Sequence, residues 1–226
     1  MKITWLGQAG LLLETGGKKI VIDPYLSDNV RNYEPKNYRR VSVDGSFLGI
    51  RPDVIIVTHD HLDHLDTETL KYYLPDSEKS LVLAPRGAWQ KLRAFGGESN
   101  YVMFNSGTSW TEGGVSFYAV RAEHSDPDAI GVIVTAEGKN YYVTGDTLYS
   151  ERVFESLPDM DIEVLFLPVN GVGNNMNMKD GARFAERIGA RYTVPFHIGL
   201  FDSLEADAFE CQGRVIPRIY KEIIFD

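Results

Sequence analysis

The 226-residue chain holds a single cysteine, Cys211. No internal disulfide can form, and a reducing compartment is expected. Long hydrophobic runs are also missing. The strongest apolar stretch, around residues 164–169, falls far short of the ~20 residues that span a bilayer. Residues 1–7 read directly as a strand with no secretory hydrophobic region, so a cytoplasmic location with no membrane partner is expected. Positive charge is scarce: 23 Lys and Arg stand against 32 Asp and Glu, a net charge of −9. That balance argues against a dedicated nucleic-acid binder, because phosphate contacts need cations. With 43% hydrophobic and 24% charged residues, the composition excludes disordered, collagenous and coiled-coil chains and supports a full core. No linker or low-complexity segment divides it, so one domain over residues 1–226 is expected.

What is present is a repeat. Residues 10–22 align with residues 131–143, matching Gly10 to Gly131, Gly17 to Gly138 and Lys18 to Lys139. Each copy is an apolar run, a glycine-bearing turn and a second apolar run, the pattern of a hairpin, and two copies predict two similar β-layers. Further strands are predicted at 54–57, 81–84, 115–120, 162–167 and 192–196 from β-branched and aromatic runs. Helices are predicted at 66–74, 86–95 and 177–188, each placed by a capping residue or a following glycine. The elements predict packed sheets with helices outside, an α/β sandwich. Residues 24–51 and 170–178 are irregular, and loops of that length tend to be functional.

Thr58-His59-Asp60-His61-Leu62-Asp63-His64-Leu65-Asp66 follows an apolar strand and precedes a helix, at a strand's carboxyl end where α/β sheets place ligands. So many imidazoles and carboxylates in one turn are costly to bury unless a cation joins them. The chain has only five histidines. His124 and His197 also follow strands, and Asp146 follows another in the turn Thr144-Gly145-Asp146. Four strand ends therefore deliver candidate metal ligands: His59, His61, Asp63, His64, His124, Asp146 and His197. Nitrogen and carboxylate donors without thiolate suit Zn, Mn, Fe or Co. Asp60 is a candidate to orient a ligand imidazole.

This ordered set resembles the metallo-β-lactamase superfamily of dinuclear hydrolases. Ile22-Asp23-Pro24-Tyr25-Leu26-Ser27-Asp28, Leu167-Pro168-Val169-Asn170-Gly171, Met176-Asn177-Met178 and Pro195-Phe196-His197 are similar to segments of its L-ascorbate-6-phosphate lactonase branch. The resemblance implies a four-layer αββα sandwich with pseudo-two-fold halves, and two divalent ions, with Zn or Mn favoured. It assigns His59, His61 and His124 to one ion, and Asp63, His64 and His197 to the other, with Asp146 bridging. It places Asp23 and Asp66 behind the ligands, and for Asp66 a helix cap explains the residue equally well. It also implies self-assembly into a homo-oligomer.

The chemistry expected is hydrolysis of a small cytosolic, anionic ester, lactone or phosphodiester by a water activated between two ions, with Asp63 and Asp146 catalytic and Asp63 passing a proton to the leaving group. Arg31, Lys36, Arg39 and Arg40, interleaved with Tyr33 and Tyr38, make residues 28–40 locally basic. This segment is read either as a cap meeting an anionic substrate through Arg31 and Tyr33, or as a solvated loop. Asn170 and Asn177 are further substrate-binding candidates, Asn177 alternatively a helix cap. Two other functions stay open: a metal-dependent nuclease or RNA-processing enzyme, and a metal-binding regulatory protein without turnover.

Overall fold

Period-two alternation gives each strand one face for the sheet beside it and one for a helix. In the computed structural model, which describes residues 1–74 and 79–226, β1 (Lys2–Gly7), β2 (Gly10–Thr15) and β3 (Lys18–Ile22) form an antiparallel meander. Strands β4 (Val54–Ile56), β5 (Leu81–Ala84) and β6 (Asn100–Met103) extend it in parallel. The second sheet begins with antiparallel β7 (Ser109–Glu112), β8 (Val115–Arg121), β9 (Ile130–Ala136) and β10 (Lys139–Val143). It ends with parallel β11 (Val164–Pro168) and β12 (Tyr192–Phe196). The repeated hairpins of the sequence are β2–β3 and β9–β10. Each stands where antiparallel pairing gives way to parallel pairing in its own sheet.

Between the sheets, Ile20, Ile22 and Ile56 from the first meet Phe117, Val132 and Phe166 from the second in one buried cluster. The alternate residues Val21, Ile55 and Val82 face outward against Leu70 and Tyr73 of α1 (Thr67–Tyr73) and Leu92 of α2 (Arg86–Leu92). Val153 of α3 (Glu151–Glu155) and Phe184 of α4 (Met178–Ile188) are fully buried on the second sheet. The result is four layers, helix–sheet–sheet–helix. Each such side chain contributes about 1.5–3 kcal/mol of burial. No helix among the described residues is long and apolar enough to cross a membrane.

Three elements have no counterpart in the sequence expectation. β6 and β7 are edge strands whose residues stay partly or fully exposed, so no apolar alternation marks them. α3 is only five residues long, too short to show a helical period. The long segment after β3 carries two 3₁₀ turns, at Asn29–Asn32 and Gly45–Gly49, and is otherwise irregular.

Gly145 fixes the turn that follows β10. Its φ is +62°, and a Cβ there would lie 2.7 Å from the Ile130 carbonyl oxygen and 3.1 Å from the Thr58 Cβ. Gly145→Ala is therefore expected to destabilise the chain by roughly 2–3 kcal/mol, measured by urea denaturation. Unchanged stability would mean that the turn relaxes freely.

Candidate metal centre

The carboxyl ends of the strands converge on one edge of the sandwich. Asp23 follows β3, residues 58–66 follow β4, His124 lies in the β8–β9 loop, Asp146 follows β10 and His197 follows β12. Gln8 enters from the turn between β1 and β2. Gln8, Asp23 and His197 all hold positive φ, at 51°, 44° and 59°. Non-glycine residues accept such strain only where the surroundings fix them. The fixing bond is visible at His197, whose backbone N–H donates to the Gln8 carbonyl at 2.9 Å.

Among the described residues, three groups of donor atoms each lie within 4.8 Å of one another: His59, His61 and His124; His59, His64 and Asp146; Asp63, His64 and His197. Asp146 stands between the outer two groups, with Oδ1 3.4 Å from His64 Nε2 and Oδ2 3.2 Å from His197 Nε2 and 3.9 Å from His124 Nε2. His61 Nδ1 and His124 Nε2 are 3.2 Å apart, and the Nε2 atoms of His64 and His197 are 3.3 Å apart. Donors around one tetrahedral ion at ~2.0–2.2 Å stand roughly 3.3–3.6 Å from each other. The spacing fits.

Hydrogen bonds behind the imidazoles settle which nitrogen points inward. His64 Nδ1–H donates to Asp23 Oδ2 at 2.7 Å, which frees Nε2. His59 Nδ1 is 3.0 Å from the Thr58 hydroxyl, which itself donates to Asp23 at 2.6 Å. His124 Nδ1 faces the Asn174 carbonyl at 3.3 Å. This arrangement orients metal-ligating histidines and raises their basicity. His59 Nε2 and Asp146 Oδ1 are buried without any hydrogen-bond partner. An orphaned buried imidazole nitrogen and carboxylate oxygen aimed into one space are a cost that a cation removes.

The electrostatics follow from this crowding. Burial pushes His59 well below the usual imidazole value, and neighbouring His64 adds to the effect; burial also lowers His124. At His64 burial is outweighed by the Asp146, Asp63 and Asp23 carboxylates, and the ring is held well above its usual value. At His197 Asp146 and Asp63 likewise overcome burial and raise it to about 10. Burial would raise Asp63 and Asp146, but His64 and His197 outweigh it and hold both below the usual carboxylate range.

The structure separates the remaining candidates. Over the donors lies a cleft of about 800 Å³, and Asn170 lines it. Asn170 Nδ2 is 3.1 Å from His197 Nδ1, so its side-chain amide lies beside a candidate ligand. Val30, Glu34 and Asn37 of the basic segment line the cleft, while Arg31 pairs with Asp28 at 3.7 Å and stacks on Tyr38, and Tyr33 is 68% exposed. Local sequence charge gives no direction to a side chain in an irregular loop. Asn177 is the α4 cap, accepting from the Asp180 N–H at 3.0 Å, and does not line the cleft. Asp66 caps α1 through the Glu68 and Thr69 N–H groups. Asp60 directs its carboxylate to Lys91 at 2.8 Å. Two supporting residues went unrecognised in the sequence: Gln8, which donates to Asp63 at 2.8 Å, and Thr58, whose hydroxyl donates to Asp23. Asn175, legible in the sequence as one of the neutral hydrogen-bonding asparagines at 170, 174, 175 and 177, donates to Asp146 at 2.8 Å.

A family model described as "Beta-lactamase superfamily domain" matches residues 18–198. A UPF0173 metal-dependent hydrolase of Geobacillus thermodenitrificans is 32% identical over 97% of this chain and 95% of its own length. One of Sulfurisphaera tokodaii is 29% identical over 99% and 95%. Among solved structures, the metallo hydrolase Igni18 of Ignicoccus hospitalis superposes with a TM-score of 0.77 at 19% identity, covering 100% of this chain and 98% of that one. The metallo-β-lactamase fold protein YhfI of Bacillus subtilis superposes at 0.71 and 16%, covering 98% of each chain. At such identities these two likenesses concern the fold.

Proposed function

The chain belongs to the metallo-β-lactamase superfamily and, within it, to the UPF0173 metal-dependent hydrolases; from that premise we propose that it is a dinuclear hydrolase of small carboxylic esters or lactones. The observation that carries this reading is the pair of orphaned atoms, His59 Nε2 and Asp146 Oδ1, set among two other imidazoles, His61 and His124, on one side and the Asp63–His64–His197 group on the other. His59, His61 and His124 would hold one cation and Asp63, His64 and His197 the second, with Asp146 between them. Zn²⁺ and Mn²⁺ both suit a donor set of imidazole and carboxylate. A pair of divalent ions supplies, when bound, acidification of a water and polarisation of the substrate carbonyl.

The chain's own groups do the rest. Asp63 lines the cleft, is held ionised by His64 and His197, and has its Oδ2 fixed by Gln8. It is the acceptor for a proton released at the cleft floor and can return that proton to the leaving oxygen. Asn175 fixes Asp146 against displacement by substrate, and Asn170 lies beside His197. The lactonase-like segments of the sequence make lactones the first compounds to try. A nuclease is disfavoured because, among the described residues, the one Lys or Arg lining the cleft, Lys91, is paired with Asp60, whereas a phosphate backbone requires several cations. The test is hydrolysis of a neutral lactone and a p-nitrophenyl ester: activity lost on chelation and restored by Zn²⁺ or Mn²⁺ supports the reading, and activity indifferent to chelator overturns it.

Metal uptake should release protons. In the metal-free chain His197 is raised to about 10 and keeps its proton at neutral pH, and His64 is held well above its usual value, so a cation taken up at His197 must displace at least one proton. Calorimetric Zn²⁺ binding is expected to vary with buffer ionisation enthalpy, and apparent affinity to rise steadily with pH between about 6 and 9. Stability of the metal-free chain has the matching sign. The raised histidines contribute fully below 6.5, and at His197 that contribution is lost as pH climbs to about 10; the depressed carboxylates contribute above 3.8 and lose it as pH falls. A proton count of zero would contradict this electrostatic account.

A further inference from the structure

Resting on the hydrolase reading above, we infer that the substrate is uncharged outside its scissile group and presents an apolar substituent to the wall formed by Val30, Leu62 and Phe201. Apart from the metal donors, the cleft's charged lining residues among those described are Glu34, Asp60, Lys91 and Asp202. Lys91 Nζ is bound to Asp60 Oδ2 at 2.8 Å, so that pair is neutral as a unit. Glu34 and Asp202 remain, both acidic. A phosphate or carboxylate appended to the substrate would face two like charges and no cation of its own, whereas proteins bind such groups through arginine forks or lysine.

The arginines of the neighbouring basic segment are engaged elsewhere. Arg39 donates to the carbonyls of Tyr25 at 2.7 Å and Val41 at 3.2 Å and to the Tyr220 hydroxyl at 2.5 Å, stapling the segment to the chain's last residues. Arg40 stacks on Tyr38 with 5.2 Å between guanidinium and ring, and Arg31 shares the same ring. Neither these three nor Lys36 line the cleft. The basic stretch is thus spent on the fold and on solvent.

Val30, Leu62 and Phe201 come from three separate segments and form one small apolar cluster with buried Tyr25 and Leu200 beneath. Phe201 packs edge-on against Tyr25, with ring centroids 5.5 Å apart and planes at 80°, which fixes the wall in place. Leu62 and Phe201 are only half-buried and line the cleft with Val30. A substrate side group covering them removes apolar surface from water on both partners. The cleft lining also includes neutral amides, from Asn170, Asn174 and Asn175.

The test uses the chain loaded with Zn²⁺ and two δ-lactones of one ring size, one bearing a butyl group and one a phosphomethyl group. The corresponding lactams serve as binding probes in calorimetry. The butyl lactone is expected to exceed the phosphomethyl lactone at least ~10-fold in kcat/KM, and the butyl lactam to bind at least ~10-fold tighter. That ratio, about 1.4 kcal/mol, is within what two like charges produce in a watery cleft. Phe201→Ala should raise KM for the butyl lactone about 5-fold with metal content unchanged, as expected for lost apolar contact. Because that change also removes the Tyr25 contact, an exposed position gives a second variant: Val172→Lys adds a cation to the cleft lining and should shift the lactone ratio toward the phosphomethyl compound by roughly 3-fold. Equal or preferred use of the phosphomethyl lactone would overturn the substrate class and leave the hydrolase standing. Absence of turnover with either lactone, with no binding of either lactam, would sink the hydrolase reading and this inference with it.

Discussion

Asp146→Asn is expected to lower hydrolysis by at least ~10³-fold and to reduce the ions bound per chain. Asp146 is 4% exposed and sits between the two donor groups, with Oδ1 toward His64 and Oδ2 toward His197. Its charge is what holds His64 and His197 in their raised range, so neutralising it removes an anion from the place where positive charge accumulates. The amide preserves shape, and Asn175 still has an oxygen to donate to. Folding should therefore survive while metal affinity collapses, as read by circular dichroism and elemental analysis together. Activity within tenfold of the unaltered chain would mean that Asp146 does not lie between bound ions.

Asp23→Asn should act first on the fold. The carboxylate is fully buried and accepts three bonds: from the Thr58 N–H at 2.7 Å, the Thr58 hydroxyl at 2.6 Å and His64 Nδ1–H at 2.7 Å. An amide offers a single oxygen and turns its own N–H₂ toward groups that also donate. At ~1–3 kcal/mol for each buried donor left unpaired, a loss of roughly 2–4 kcal/mol is expected by urea denaturation in the presence of chelator. Metal affinity should fall about 10–100-fold because His64 loses the partner that fixes its tautomer. Loss of metal binding with stability intact would show that Asp23 acts only through His64. Unchanged stability and unchanged affinity together would contradict the role given to Asp23 here.

What was legible in the sequence follows from how each contact is encoded. His59, His61, Asp63 and His64 lie in one turn, so their proximity is covalent and visible as spacing. His124, Asp146 and His197 could be placed beside them only because parallel strands bring their carboxyl ends to one edge, and the strands themselves were marked by apolar runs. The two-layer core was legible for the same reason, from the hairpin repeat at residues 10–22 and 131–143. Gln8 was not legible. It reaches Asp63 across 55 positions from a turn whose positive φ leaves no mark on a glutamine. Thr58 and Asn175 are ordinary polar residues whose roles depend on which side chain stands opposite. Arg31 and Tyr33 are a different case: charge in residues 28–40 is visible in the sequence, but its orientation depends on Tyr38, Tyr25 and Tyr220, which the fold supplies. The edge strands β6 and β7 lie where burial is incomplete, and incomplete burial leaves no period.

The central claim is that the chain gathers its imidazoles and carboxylates around two cations. Anomalous diffraction at the zinc edge from crystals soaked in Zn²⁺ tests it directly, because it reports position as well as number. Two peaks are expected, one within bonding distance of His59, His61 and His124 and the other of Asp63, His64 and His197, both reached by Asp146. A map with no peak among these residues at saturating Zn²⁺, or with zinc only on surface groups, would contradict the account.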